Sequence, residues 1–241
     1  MRILVACEES QAVTIEMRKL GHEAYSCDIQ ACSGGHPEWH IKDDATKYIN
    51  GYCGFKTEDG KAHYILSRWD MLIAHPPCTY LTAACNRSYQ LSCNTAEKVV
   101  ERYRKRDKAI QLFFKFINAD CERIAVENPM GCMNTLYRKP DQTIHPYHFA
   151  QSITSIDYNL KRTCLWLKGL PILIRPAILS APQPTKVYVR KSGNKKGGRY
   201  GAYYHDHAVG KNKTETAKLR SKTFPGIARA MAEQWAGKIT K

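Results

Sequence analysis

The chain has 241 residues and is 43% hydrophobic, enough to bury the core of one large α/β domain and unlike a disordered chain. No apolar run reaches the roughly 18 residues that a membrane span requires, and Met1 leads straight into Arg2-Ile3-Leu4-Val5 without a secretory signal, which predicts a cytoplasmic protein. Formal net charge is +15, and from Lys186 to Lys222 eleven Lys and Arg face only Asp206 and Glu215, so +9 of it lies in one stretch. Such a stretch marks a polyanion partner; its plainer reading is a solvated basic surface.

The apolar run at residues 2–6 predicts a buried strand. Val13, Met17 and Leu20 share one helical face over residues 12–20, with Ser10 as N-cap and Gly21 just past the end. Residues 23–28 predict a second strand that closes on Asp28. Cys32, His36 and His40 have a spacing that could hold a metal, but Gly34, Gly35 and Pro37 among them favour an ordinary turn. The ten cysteines are scattered and contain no Cys-x-x-Cys pair, so reduced thiols are expected.

Residues 69–74 form a further apolar strand running into His75-Pro76-Pro77-Cys78. Asn94-Thr95-Ala96-Glu97 resembles a capping box and opens a long helix with Val99, Tyr103, Ile110, Phe113, Phe114 and Ile117 at helical spacing. Arg102, Arg104, Lys105 and Arg106 between them suit a solvated face better than a phosphate clamp. Residues 123–126 predict a strand ending in Glu127-Asn128-Pro129, and residues 163–167 another. Residues 176–218 show no steady period and predict loops and short strands. Thr223 as N-cap and Pro225 in the first turn start a last helix with Ile227, Met231 and Trp235 as its apolar stripe.

Strands alternating with helices predict a doubly wound, mainly parallel sheet, with ligands at the carboxyl ends of its strands. The expected division is a core at 1–175, a small basic region at 176–220 and a helix at 221–241 that completes the core. Three features gather at strand ends. Asp28 suits the hydroxyls of a ribose. Cys78 follows two prolines that stiffen the loop and project its thiol. Glu127 offers an acid on a neighbouring strand end. A thiol that attacks carbon 6 of a pyrimidine while an acid protonates N3 is a workable addition. Each feature alone has a bland reading, since many strands end in Asp and a buried Cys is often only a hydrophobe.

Trp69-Asp-Met-Leu-Ile-Ala-His-Pro-Pro-Cys78 followed by Ile124-Ala-Val-Glu127-Asn128-Pro129 resembles the Pro-Cys and Glu-Asn motifs of the cytosine-5 DNA methyltransferases, in the layout of their small, phage-type branch. The resemblance spans residues 3–170 and 221–235. It implies a fold like that of the class I S-adenosylmethionine-dependent methyltransferases, S-adenosylmethionine as cofactor, and double-stranded DNA with the target base flipped out. It makes Cys78 the nucleophile, Glu127 the N3 acid and Asn128 a support for the loop. Asp28 would bind the cofactor ribose, Asp44 would lie near its adenine, and Ala6, Cys7, Glu8, Pro76 and Thr223 would line its site.

The chain departs from that pattern in four places. Ala6-Cys7-Glu8-Glu9-Ser10 replaces a glycine-rich turn. The Gln-x-Arg-x-Arg element survives only as Leu160-Lys161-Arg162-Thr163-Cys164, where Arg162 keeps one arginine for the cytosine O2 edge. The large target-recognition domain is replaced by the basic stretch, whose Tyr188, Tyr200, Tyr203 and Tyr204 suit stacking on bases. Lys222 stands where the family has Asn near the sulfonium. A lysine there would pair with the extra carboxylate of carboxy-S-adenosylmethionine and yield 5-carboxymethylcytosine; the plainer reading turns it outward to solvent or a phosphate. The rivals are an adenine or cytosine amino-methyltransferase, which His75 and Cys78 do not fit, a catalytically silent nucleic-acid-binding module, and action on RNA or a free nucleotide, of which the basic stretch favours a polymer.

Overall fold

The structure is a computed structural model that describes residues 1–176, 178–183, 186–187, 199–200, 212 and 221–239. Two runs, Ile3-Leu4-Val5-Ala6 in β1 (Arg2–Ala6) and Met71-Leu72-Ile73-Ala74 in β6 (Met71–Ala74), are fully buried along their length. Strands apolar on both sides belong inside a parallel sheet covered on both faces. They pair in parallel at the centre of a seven-stranded sheet ordered β3-β2-β1-β6-β7-β9-β8. Its other members are β2 (Glu23–Asp28), β3 (His40–Lys42), β7 (Ile124–Pro129), β8 (Gln142–Ile144) and β9 (Thr163–Lys168). Only β9 runs against the rest, antiparallel to both β7 and β8.

Side-chain alternation divides the core between the two faces. Ile3, Val5, Met71 and Ile73 pack with Val13 and Met17 of α1 (Ala12–Lys19) and with Ile227, Met231 and Trp235 of α4 (Pro225–Trp235). Leu4, Leu72 and Ala74 pack with Phe113, Phe116 and Ile117 of α2 (Ala96–Ile117) and with Trp166. The chain therefore forms an α/β fold with a mostly parallel mixed sheet and helices on both faces. From β1 it builds outward to β2 and β3, then returns to β6 and β7 on the other side. That reversal opens a crevice at the carboxyl ends of β1 and β6, where ligands of such sheets bind.

Several local expectations are corrected. The N-cap of α1 is Gln11 rather than Ser10, in left-handed backbone and without a side-chain cap bond. The orphan donors are met from Glu8, whose carboxylate accepts from Val13 N at 2.6 Å and Thr14 N at 3.3 Å. The long helix starts at Ala96 with Thr95 as cap, and Asn94 instead donates to the Ser88 carbonyl at 3.1 Å. Tyr103, placed on its apolar stripe, is 48% exposed. Between β3 and β6 lies an unforeseen antiparallel hairpin, β4 (Cys53–Lys56) and β5 (Ala62–Ile65), and β8 was also unforeseen. After β7 comes one short helix, α3 (Met133–Leu136). His40 and His36 are engaged elsewhere: His40 bonds Ser26 Oγ at 2.8 Å, and His36 stacks on Trp39 at 3.9 Å.

Most of the basic stretch lies outside the described residues, including Tyr188, Lys195, Lys196, Tyr203 and Tyr204. Within it the structure describes the short pair β10 (Lys186–Val187) and β11 (Arg199–Tyr200), antiparallel to each other. Among the described residues no helix is long and apolar enough to cross a membrane.

Thr223 does not cap α4. Phe224 holds that position, Pro225 follows as the first helical residue, and the Gly226 N–H donates to buried Asp157 Oδ1 at 2.9 Å. Proline has no N–H to cap, so the first exposed need of the helix is met across the fold. Asp157→Ala leaves that buried donor unpaired and is expected to cost about 1–3 kcal/mol, whereas Asp157→Asn retains an acceptor and loses less. Urea unfolding of both variants measures this, and an unchanged midpoint for Asp157→Ala removes Asp157 from that role.

Candidate active site

The carboxyl ends of β6 and β7 carry the two residues expected to do chemistry. Ala74 pairs with Val126, so His75 and Glu127 leave adjacent strands side by side. His75 Nδ1 lies 3.4 Å from Glu127 Oε2, with side chains only 7% and 18% exposed. This contact is long for a charged hydrogen bond. On its other side His75 donates its backbone N–H to the Ala6 carbonyl at 2.9 Å, which sets it between β1 and β7.

Cys78 is exposed, beyond buried Pro76 and exposed Pro77. Prolines cannot donate, so the loop is held through its carbonyls. Buried Asn128 donates Nδ2 to the Pro76 carbonyl at 2.8 Å. The Cys78 carbonyl accepts from Leu81 N and Thr82 N, each at 3.0 Å, in a tight turn. Beyond it, Ala83 N donates to the Met130 carbonyl and Cys132 N to the Leu81 carbonyl, both at 2.9 Å. A Cβ on Gly131 would collide with the Leu81 carbonyl oxygen, so only glycine lets the two loops meet.

The basic residues of α2 do more than face water. The Tyr80 carbonyl accepts from Arg106 Nε and from Tyr89 Oη, both at 3.0 Å, and the Arg106 guanidinium lies 3.5 Å from the Tyr89 ring centre. Arg102 lies over the same two rings, 5.4 Å from Tyr80 and 5.2 Å from Tyr89. These arginines anchor the segment that follows Cys78.

The charges around the pair are informative. Although Cys78 is solvent-exposed, the protein packed around its sulfur desolvates the thiol and pushes its pKa up, the Glu127 carboxylate pushes it further, and Lys161 opposes both. Burial also pushes the Glu127 carboxyl up, but the His75 contact and the charges of Lys161 and His75 outweigh it and hold Glu127 below the ordinary carboxylate range. At rest the pair is thus a thiol and a carboxylate. Lys161 is the cation that reaches both. Arg162, expected in that place, is exposed, and its charge acts on His145 and Cys164. In Gln-x-Arg-x-Arg the like residues stand two apart, so Leu160, Arg162 and Cys164 share one side and Lys161 stands at a position the element leaves open. Neither Lys161 nor His75 had a signal in the sequence: Lys161 matches no part of the element, and the role of His75 depends on β6 and β7 being neighbours.

The crevice at β1 and β2 gathers the other expected residues. Cys7 and Gln11 adopt φ of 59° and 57°, each a strain of roughly 1–2 kcal/mol for a residue with a side chain. Gln11 compensates by clamping residue 36 at both backbone groups, donating to the His36 carbonyl at 2.8 Å and accepting from its N–H at 3.1 Å. Cys7 N and Glu8 N both donate to the Cys27 carbonyl, at 2.7 and 3.3 Å. Burial pushes the Cys7 thiol up, and Asp28 and Asp44 add to it, so these two carboxylates converge at the turn. Asp28 Oδ1 accepts from Gln30 N at 2.9 Å and Asp44 Oδ1 from Thr46 N at 2.9 Å. Glu8 does not face the crevice, since both of its oxygens serve α1. Thr223 is half-buried and Lys222 exposed; the Lys222 carbonyl accepts from Lys161 Nζ at 3.2 Å.

No known family model matches the chain, and no curated protein is significantly similar to it.

The opposed charges on Cys78 make two variants diverge. Glu127→Gln removes the anion that raises the thiol, so more thiolate forms at neutral pH and alkylation of Cys78 by iodoacetamide should quicken. Lys161→Met removes the opposing cation and should slow it. Rates measured against pH for parent and both variants check this, and equal rates for all three would dissolve the coupling.

Proposed function

We propose that the chain is a cytosine-5 DNA methyltransferase acting through a covalent Cys78 adduct. One observation carries the reading: Cys78 and Glu127, distant in sequence, leave adjacent strands with their charges coupled, and Lys161 acts on both. The sheet, parallel but for one strand, is compatible with a class I methyltransferase fold.

The crevice has groups suited to the adenosine part of S-adenosylmethionine. The Asp28 carboxylate fits the ribose hydroxyls, and Asp44 fits an exocyclic amine; both stand at the carboxyl ends of their strands near the Cys7 turn. When bound, that cofactor supplies an electrophilic methyl group.

The rest of the chemistry belongs to the chain's own residues. A cytosine in a duplex must leave the stack to reach Cys78. The resting pair holds one proton, on sulfur, whereas the reaction needs it on the carboxyl. Transfer from Cys78 to Glu127 frees the thiolate, which bonds to carbon 6 while Glu127 protonates N3. The electron pair released at carbon 5 would take the methyl group as its bond to the sulfonium breaks, which would leave the cofactor as a neutral thioether. Water then takes the carbon 5 proton, which expels the sulfur as thiolate, and N3 returns its proton through Glu127 to Cys78. Lys161 favours the anionic form of either partner, and Asn128 keeps the Pro76 carbonyl, and with it the loop, in place.

DNA carrying 5-fluorocytosine tests the reading, because fluorine at carbon 5 blocks the final elimination. A protein–DNA adduct through Cys78 is expected with cofactor present, and 5-methylcytosine should appear in nucleosides from ordinary DNA. Cys78→Ser should lose turnover while keeping the fold, and Glu127→Gln should lose roughly 10²–10⁴-fold. Neither adduct nor modified cytosine with the parent protein would overturn the assignment.

A further inference from the structure

We propose that Arg162, Arg175 and His145 form a subsite for a phosphodiester group of DNA, at the same edge of the sheet as Cys78 and Glu127. This rests on the reading above only for the nature of the polymer. The placement follows from register. Thr163 pairs with Ile144 of β8 on one side and with Pro129 of β7 on the other. Arg162 and His145 are the next residues past that row, at the carboxyl edge, two strands from β6.

Arg175 arrives from the opposite direction. After β9 the chain turns back along β8, where Leu173 and Gln142 exchange two hydrogen bonds of 2.7 and 2.8 Å. Two residues further on, Arg175 reaches the same corner. Its charge and that of Arg162 both act on His145, whose imidazole burial and these cations push below its ordinary value. One turn away, burial, Arg175 and His145 push His148 down to about 4. The titratable and charged groups facing His145 are therefore Arg162 before β9, Arg175 after it and His148 on the same turn.

Both guanidinium groups are exposed, and among the described residues neither has a carboxylate partner. Two exposed cations whose charges both reach His145 offer an anion at this corner a favourable seat. A guanidinium fork matches a phosphate with two parallel hydrogen bonds. The corner adjoins the strand end that carries Glu127, two residues before the Pro129 that pairs with Thr163. Arg162, exposed on the face opposite to Lys161, thus has a use that does not require it to touch the base.

The experiment is binding of a fluorescein-labelled duplex by anisotropy across a salt series. Arg162→Gln and Arg175→Gln should each weaken binding and reduce the slope of log K against log salt by about 0.9, and the double variant by about twice that. Lys19→Gln, at the end of α1 on the opposite edge, should leave the slope unchanged. A bound phosphate also relieves the repulsion on His145, so its pKa should rise with the duplex and affinity should increase as pH falls; the His145 ring resonances report this directly. Unchanged slopes in both variants overturn the subsite. So does loss of inorganic-phosphate binding at millimolar concentration in both variants while duplex binding is unaffected, since the site would then hold a free phosphate. Altered slopes with a parent protein that makes no 5-methylcytosine uphold the subsite and overturn only the proposed reaction.

Discussion

Two loops that leave neighbouring strands are tied to each other before they are tied to anything else. Asn128 reaches from β7 to the Pro76 carbonyl, and the backbone beyond Cys78 bonds to the backbone beyond Pro129 on both sides of Gly131. The Pro-Pro pair makes this arrangement necessary, because a chain without N–H groups can be held only by donors brought to its carbonyls. β9 then extends β7 as far as Pro129, and so fixes where Lys161 enters. The reactive pair, its nearest cation and the arginine anchor on Tyr80 all depend on that junction.

Electrostatics at this edge works by division of labour among acids. Glu8 is spent on the first turn of α1, Asp28 and Asp44 crowd the Cys7 turn, and Glu127 alone faces the thiol. The Glu8 carboxyl oxygens satisfy first-turn N–H groups of α1 that otherwise lack a partner. The left-handed backbone at Gln11 is offset locally by its amide clamp on residue 36. The geometry that glycine would give freely is reached here through side-chain hydrogen bonds.

Much of this was legible in the residues themselves. Unbroken apolar runs announced β1 and β6, and helical spacing announced α1, α2 and α4. Pro-Pro-Cys and Glu-Asn-Pro marked the two strand ends that meet. What stayed hidden was relational. β8 is three residues long and the β4–β5 hairpin carries little alternation, so neither has a period to detect. Caps were misplaced at Ser10, Asn94 and Thr223 because the true partners, Glu8 and Asp157, act from elsewhere in the fold or with unusual backbone. Arg162 matches the element by type and position, whereas Lys161, whose charge reaches Cys78 and Glu127, stands where the element leaves the residue open.

The pairing of α1 with α4 has a consequence for how the chain is made. The face of the sheet that holds Ile3 and Val5 is completed by Ile227, Met231 and Trp235, and Trp235 Nε1 and Gln234 fasten that helix to the backbone at Pro171 and Ile174. During synthesis the central strand emerges first and its cover nearly last. At about 5–20 residues per second, one apolar side of the nascent sheet therefore waits on the order of ten seconds or more for its lid. Contacts so far apart in sequence also close slowly. In that interval the uncovered face is a natural surface for a chaperone, and the wait ends only when residues 225–235 have cleared the ribosome.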